Sequence, residues 1–349
     1  MKGTIGKMKN KALIVILIVV VIALAVLVGL KVFGNKETEN VNDDVEINSD
    51  QQEEKNEVSI WSGNSRSVAV VIDNVGDAKP QTGLNDAAIV YEVTVEGGLT
   101  RLLAVFKDID DVEKTIGPVR SARPVFIDYV LENDSIFTHF GYSPKAQQEI
   151  ADLNINNVNG LVVDSAFWRT SEKTAPHNAL TNIKKVLEYA EKRDYRTTSS
   201  ERSVLNYVTD EVEIENGQTA NTVNIPYTSS HKVSFKYNAE TKLYERHVNG
   251  TVEKDWISKE VRSTKNIIIT FANNYTTDEE GGYGRQQIEN IGNLDGYYIT
   301  NGQAMKITCS KTSRNSKTVY KDENGKEIEV NDGNTYIQIV PINTNVTFE

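Results

Sequence analysis

The sequence predicts an α/β (α+β) N-terminal domain with a mixed sheet over residues 58–212, a β-rich C-terminal domain over residues 219–349, and a single N-terminal transmembrane helix. Three observations carry this. As far as about Thr209, apolar β-branched runs alternate with capped, helix-forming stretches, the pattern of a sheet layered with helices. From Val223 onward the chain changes to short strands separated by Asn-Gly and Asp-Gly turns. Residues 12–30 are 19 apolar residues without a charge, enough for a helix to cross a hydrocarbon core of roughly 30 Å.

Lys2, Lys7, Lys9 and Lys11 precede the apolar run and Lys31 follows it. That asymmetry predicts a cytoplasmic tail (residues 1–11), an anchor (residues 12–33) in the cell membrane, and everything beyond it outside the cell. A signal peptide cut after Ala25 is the competing reading. The run outlasts a signal core of roughly 7–15 residues, which favours an uncleaved signal-anchor. Residues 34–57 contain nine acids and no aromatic residue, the composition of a disordered, solvated stalk. The whole chain carries −11; beyond residue 31, 33 basic and 49 acidic residues leave −16. So acidic an ectodomain argues against nucleic acid as a partner. Cys309 is the only cysteine, which excludes an internal disulfide, a cysteine metal cluster, and a lipidated cysteine behind the N-terminal segment.

Residues 67–73 (SVAVVID) read as a buried strand ending on Asp73 and Asn74. Strand ends of this kind reach a ligand crevice in open α/β sheets; capping of the following turn is the plainer reading. Residues 89–106 read as a hairpin about a two-residue Gly97-Gly98 turn. That turn sets Glu92 opposite Leu103 and Thr94 opposite Arg101. It leaves Tyr91, Val93, Val95, Leu102 and Ala104 on the core face, with Glu92, Glu96 and Arg101 on the other. Further on, helices are expected over residues 124–131, 144–153 behind a Ser143 cap, 182–193 behind a Thr181 cap, and 200–209. Strands are expected over residues 135–141, which carry His139, and 161–164. A polar loop between residues 166 and 180 carries Arg169 and His177. The C-terminal strands are placed at residues 233–237, 243–248, 266–271, 297–300, 304–309, 318–320 and 335–340.

Three guanidinium groups, Arg101, Arg120 and Arg123, gather in the first half, the last two around Ser121 where a turn enters a helix. Forked donors beside a helix N-terminus suit a carboxylate or phosphate; ion pairing to Asp73, Glu92 or Glu96 serves the same groups equally. Glu92 and Glu96 lie about 13 Å apart along one strand, too far for a glycosidase pair by themselves, so Asp73 with one of them is the carboxylate option. A serine nucleophile beside His139 or His177 lacks the Gly-x-Ser-x-Gly elbow. Cys309 on a strand lacks an activating neighbour. The candidate catalytic set is therefore Asp73, Glu92, Glu96, His139 and His177. The candidate ligand-binding set is Asn74, Arg101, Arg120, Ser121, Arg123 and Arg169. No metal site and no cofactor is indicated, because the four histidines show no ligand spacing.

The strings VAVVIDN, KPQTGLNDAAIVYEVTVEGGLTRLLAVF, IGPVRSARPVF, HFGYSPKA and APHNALT resemble the YerB family of bacterial envelope proteins. In the second half VSFKYNAETKLYERHVNG, GYYITNGQAMKIT and VYKDENGKEIEVNDGNTYIQIVP resemble the same family, so the likeness spans about residues 60–342. It implies a lipoprotein-type envelope protein of unknown activity. The chain departs from the family at two points: an apolar anchor stands where many members have a lipidated cysteine, and Cys309 stands where relatives carry tryptophan. Two functions stay open. One is binding or processing of peptidoglycan or another anionic envelope ligand; the other is a non-catalytic scaffold for an envelope protein partner.

Overall fold

A computed structural model describes residues 57–277 and 283–349. The expected cytoplasmic tail, membrane helix and nearly all of the stalk lie outside the described residues. Among the described residues no helix is long and apolar enough to cross a membrane; the transmembrane helix expected over residues 12–33 is not among them. The expected α/β class is overturned. The described residues are mostly sheet, 40% strand against 14% helix, with strands from both halves entering one sheet. Lys55–Glu349 forms a compact unit. Among the described residues, both apolar clusters and every strand partner lie within it.

The first strands are β1 (Val68–Asp73), β2 (Ile89–Thr94), β3 (Thr100–Phe106), β4 (Ile136–His139), β5 (Asn157–Asn159), β6 (Trp168–Arg169) and β7 (Ala179–Leu180). The helices are α1 (Pro124–Glu132), α2 (Pro144–Asp152) and α3 (Ile183–Lys192). The twelve-stranded sheet runs, over ten strands, Val319–Lys321, Gln303–Lys311, Gly292–Thr300, Asn266–Thr276, Thr335–Pro341, β2, β3, β1, β4, β5, with Gln286–Glu289 paired to Asn266–Thr276 and Gln218–Thr219 to Gln303–Lys311 off this path. Thr335–Pro341, close to the C-terminus, lies parallel to both β2 and Asn266–Thr276 and so stitches the halves together. Its residues, like those of β1 and β2, are buried on successive positions because both faces of the sheet are covered. Helices α1 and α2 cover one face. On the other face lie α3 and a six-stranded antiparallel sheet whose inner side chains include Val223, Val233, Phe235 and Tyr244.

Local chemistry places the helices. Pro124 and Pro144 open α1 and α2, and Ser143 accepts a hydrogen bond from Ala146 N. Helix α3 is capped by Asn182, which accepts from Lys185 N at 2.9 Å; the expected cap, Thr181, instead donates to Ala166 O. The helix expected over residues 200–209 is absent, since Tyr207–Val208 pairs with Val330–Asn331. The strand expected over residues 161–164 lies earlier, at β5.

Gly296 shows how closely the large sheet is packed. A Cβ there would stand 2.3 Å from Ile269 O and 2.9 Å from Cys309 Sγ. Gly296→Ala is expected to cost about 1–3 kcal/mol of stability by overpacking, read as a lower urea midpoint; an unchanged midpoint would show that the strands part freely. Cys309 is buried and accepts a hydrogen bond from Thr270. Burial pushes its thiol up to about 12, which makes it an unreactive side chain.

Candidate functional site

Asp73 ends β1 with its carboxylate buried, only 1% exposed. Two elements bring partners to it. Strand β4 accompanies β1 only from Val68 to Val70. Beyond that the segment around residues 117–120 takes over the edge: Arg120 N donates to Val71 O, Asp73 N to Pro118 O and Val119 N to Ala179 O. This puts the Arg120 Nε 3.0 Å from Asp73 Oδ2, an ion pair without hydrogen-bond alignment. The second element is the loop over residues 170–178 between β6 and β7. Its Lys173 donates to Ala78 O and lies over the Trp256 ring. The loop delivers His177, whose Nδ1 donates to the same Asp73 Oδ2 at 2.7 Å.

One buried carboxylate oxygen thus orients an arginine and a histidine. Their outer nitrogens, Nη1 and Nη2 of Arg120 and Nε2 of His177, make no hydrogen bond to any described residue. They are not sealed off either, the side chains being 25% and 17% exposed. Such an arrangement offers forked donors to an anion and a ring nitrogen that gives or takes a proton.

Glu96, Arg101 and Arg123 adjoin this group. Arg101 is the sheet partner of Asp73. It donates to Ser121 O at 2.8 Å and to Glu96 Oε1 at 2.9 Å. Arg123 donates to both oxygens of Glu96 and to Ala122 O. Burial opposes ionisation of Glu96, but the hydrogen bond from Arg123 and the charges of both arginines outweigh it and hold the carboxyl at about 2. Burial and the nearby Arg123 and Arg120 lower the Arg101 guanidinium to about 10 despite Glu96 and Asp73. Three arginines against two carboxylates leave one net positive charge here, on a chain of −11.

The hairpin register differs from the expected one. The turn has three residues, Glu96–Gly98, with Gly97 and Gly98 at φ 68° and 71° and Val95 N donating to Leu99 O. The extra residue moves the pairing by one, so Glu92 faces Leu102 and Val93 faces Arg101. A one-residue slip exchanges faces. Glu92 therefore leaves the arginine cluster and points towards the small sheet, where Arg246 reaches its Oε2 at 2.7 Å and His231 its Oε1 at 2.8 Å. Asn74 and Thr100 donate to the same oxygen. Arg246 continues to Glu253, which also holds Arg262 and Lys79. Burial opposes ionisation of Glu92, yet Arg246 and His231 hold it far below the ordinary carboxylate range. Glu92 and Asn74 are thus tied into a buried network joining the two sheets.

His139 ends β4, fully buried, with Nδ1 donating to Gly141 O at 2.8 Å and Nε2 unpartnered. Burial lowers its pKa to about 4, so the ring is neutral. The Ser121 hydroxyl donates to Phe140 O at 3.0 Å. Arg169 donates to Asn178 and covers the Phe140 ring at 4.6 Å. The structure therefore gathers Asp73, Glu96, Arg101, Arg120, Arg123 and His177. It places Ser121 and Arg169 on the border and sends Glu92, Asn74 and His139 elsewhere. Arg246, Glu253, Arg262 and His231 were missed. Their one signal was alternation: Arg246 falls on the buried face of its strand with Tyr244, and a buried cation demands a carboxylate. Among the described residues no cluster of three metal-ligating side chains exists.

Comparison with known proteins accords with this architecture. The model "Protein of unknown function (DUF3048) N-terminal domain" matches residues 54–196, and the corresponding C-terminal domain model matches residues 223–337. The Bacillus subtilis (strain 168) protein named "Putative lipoprotein YerB" is 31% identical over 293 residues, 79% of this chain and 81% of that protein. The crystal structure of YerB protein from Bacillus subtilis superposes with a TM-score of 0.72 at 29% identity, covering 81% of this chain and 94% of the other. The chain belongs to the YerB family, whose two domains of unknown function, DUF3048 N- and C-terminal, it carries in order.

Proposed function

We propose that this is a membrane-associated cell-envelope protein that binds an anionic group, a phosphate or carboxylate of an envelope ligand such as peptidoglycan, between Arg120 and His177. The observation that carries the reading is the shared Asp73 oxygen, which fixes both side chains while leaving their outer nitrogens open. Arg101 and Arg123 are closed onto Glu96 and supply field rather than contacts. A local positive site on an acidic surface attracts a single charged group without general adhesion to polyanions. Membrane association rests on the related lipoprotein.

The test is a titration of residues 55–349 with glycerol phosphate and with soluble peptidoglycan fragments. Arg120→Ala is expected to weaken the bound anion about tenfold or more and, because it takes one partner from the buried Asp73 carboxylate, to lower the melting temperature as well, so affinities are compared where both proteins are folded. Equal affinity of parent and variant for both ligands would remove Arg120 from the site. A second reading follows from the Asp73–His177 pair, which resembles the carboxylate-oriented base of hydrolases. If the bound ligand is also hydrolysed, His177→Gln is expected to abolish turnover, with binding weakened but still held by Arg120.

A further inference from the structure

Between residues 79–81 and the hairpin formed by Leu243–Val248 and Thr251–Val252 lies a cavity of about 380 Å³. That volume is at the small end of the roughly 300–1,000 Å³ that ligand pockets occupy. Pro80, Val248, Thr251 and Val252 wall it, with no aromatic ring among its described lining residues. None of these residues belongs to the Arg120–His177 site.

The same cavity is lined by Lys79 and Glu253. The Lys79 ammonium lies 2.7 Å from Glu253 Oε1, an ion pair without hydrogen-bond alignment. The other Glu253 oxygen already takes Arg246 and Arg262, and Arg246 extends to Glu92. Three cations therefore face two carboxylates, and one positive charge is left over. It falls to Lys79, whose side chain is 20% exposed against 0% for Arg246 and 2% for Arg262. Burial pulls the Lys79 ammonium below the ordinary lysine value, and Glu253 offsets only part of this. An anion beside Lys79 relieves that penalty. The Gln81 amide, also in the lining, is spent: Nε2 donates to Asp73 O and Asn74 Oδ1, and Oε1 accepts from Arg262. Lys79 is thus the half-buried donor left for a ligand. Lys254, exposed and lining the same cavity, carries a further ammonium.

We propose that this cavity binds a small aliphatic carboxylate, its head on the Lys79 ammonium and its chain against Pro80, Val248 and Val252. Charge selects the head. The cluster is short of one negative charge, which a carboxylate supplies, whereas a phosphate ester brings nearly two. The walls select the chain, because each methylene that leaves water for them adds affinity. The inference stands apart from the anion-site reading above.

The experiment is calorimetric titration of the full-length protein with octanoate and with octanol. Thr251→Trp, at an exposed lining position, fills the cavity and gives the baseline for binding elsewhere on the chain. Above that baseline the parent is expected to bind one octanoate per chain, about tenfold or more tighter than octanol. Lys79→Gln is expected to lose about tenfold or more of the octanoate affinity and to keep that for octanol. Glu253 retains both arginines in this variant, and a urea midpoint close to the parent's checks its fold. The parent's preference for octanoate over octanol tests the charge without any substitution. Octanoate and octanol bound alike, a folded Lys79→Gln variant that binds octanoate like the parent, or a parent no different from Thr251→Trp overturns the inference.

Discussion

Arg246→Leu is expected to lower the unfolding free energy by about 3–5 kcal/mol, the cost of stranding a buried charge. Arg246 is fully buried between Glu92, also fully buried, and Glu253, 9% exposed. Among the described residues, leucine removes the one arginine that touches Glu92 and one of the two that touch Glu253. His231, Asn74 and Thr100 remain on Glu92, so the loss falls short of an isolated buried carboxylate. Urea unfolding at pH 7 measures it. Adding Glu92→Gln to the same chain is expected to recover part of the loss, because the stranded charge is then gone. A loss under about 1 kcal/mol would place the network among exposed ion pairs.

The second large effect is a stability loss between pH 6.5 and pH 4. Burial holds the folded His139 at about 4, against roughly 6.5 in an unfolded chain. Below 6.5 the unfolded chain binds a proton that the folded one refuses. The stability contributed by neutral His139 is therefore complete above pH 6.5 and falls until about pH 4, by about 3 kcal/mol. His139→Gln is expected to flatten that part of the profile whatever its stability at pH 7; a slope identical to the parent's would show that His139 finds a proton partner when folded. The carboxylates act lower. Glu96 and Glu253, each held at about 2, contribute stability above roughly pH 4.3 that is lost as pH falls towards 2. The two groups of residues thus separate in the pH profile.

Local signals in the sequence located most elements. Pro124, Ser143 and the Asn-Gly turns announced where helices begin and hairpins close, because those residues act on their own backbone. The convergence of Arg101, Glu96, Arg120 and Arg123 also followed from neighbouring strands and turns. The Gly-Gly loop misled by a single residue: both two- and three-residue turns accept glycine at positive φ, and only the three-residue form puts Glu92 on the far face. Contacts between distant segments left no trace of their own. Nothing near Glu92 indicates Arg246, 154 residues away. Nothing near Asp73 indicates His177, 104 residues on. The insertion of Thr335–Pro341 beside β2 is equally non-local, and it turned an expected α/β layer into one long sheet.

The most direct measurement is a crystal of residues 55–349 soaked with glycerol phosphate and examined beside Asp73. Phosphate density within hydrogen-bond distance of the Arg120 Nη atoms and His177 Nε2, with the Asp73 contacts retained, is the expected result. A saturating soak that leaves this position without phosphate while Arg120 and His177 keep their present places would contradict an anion site there.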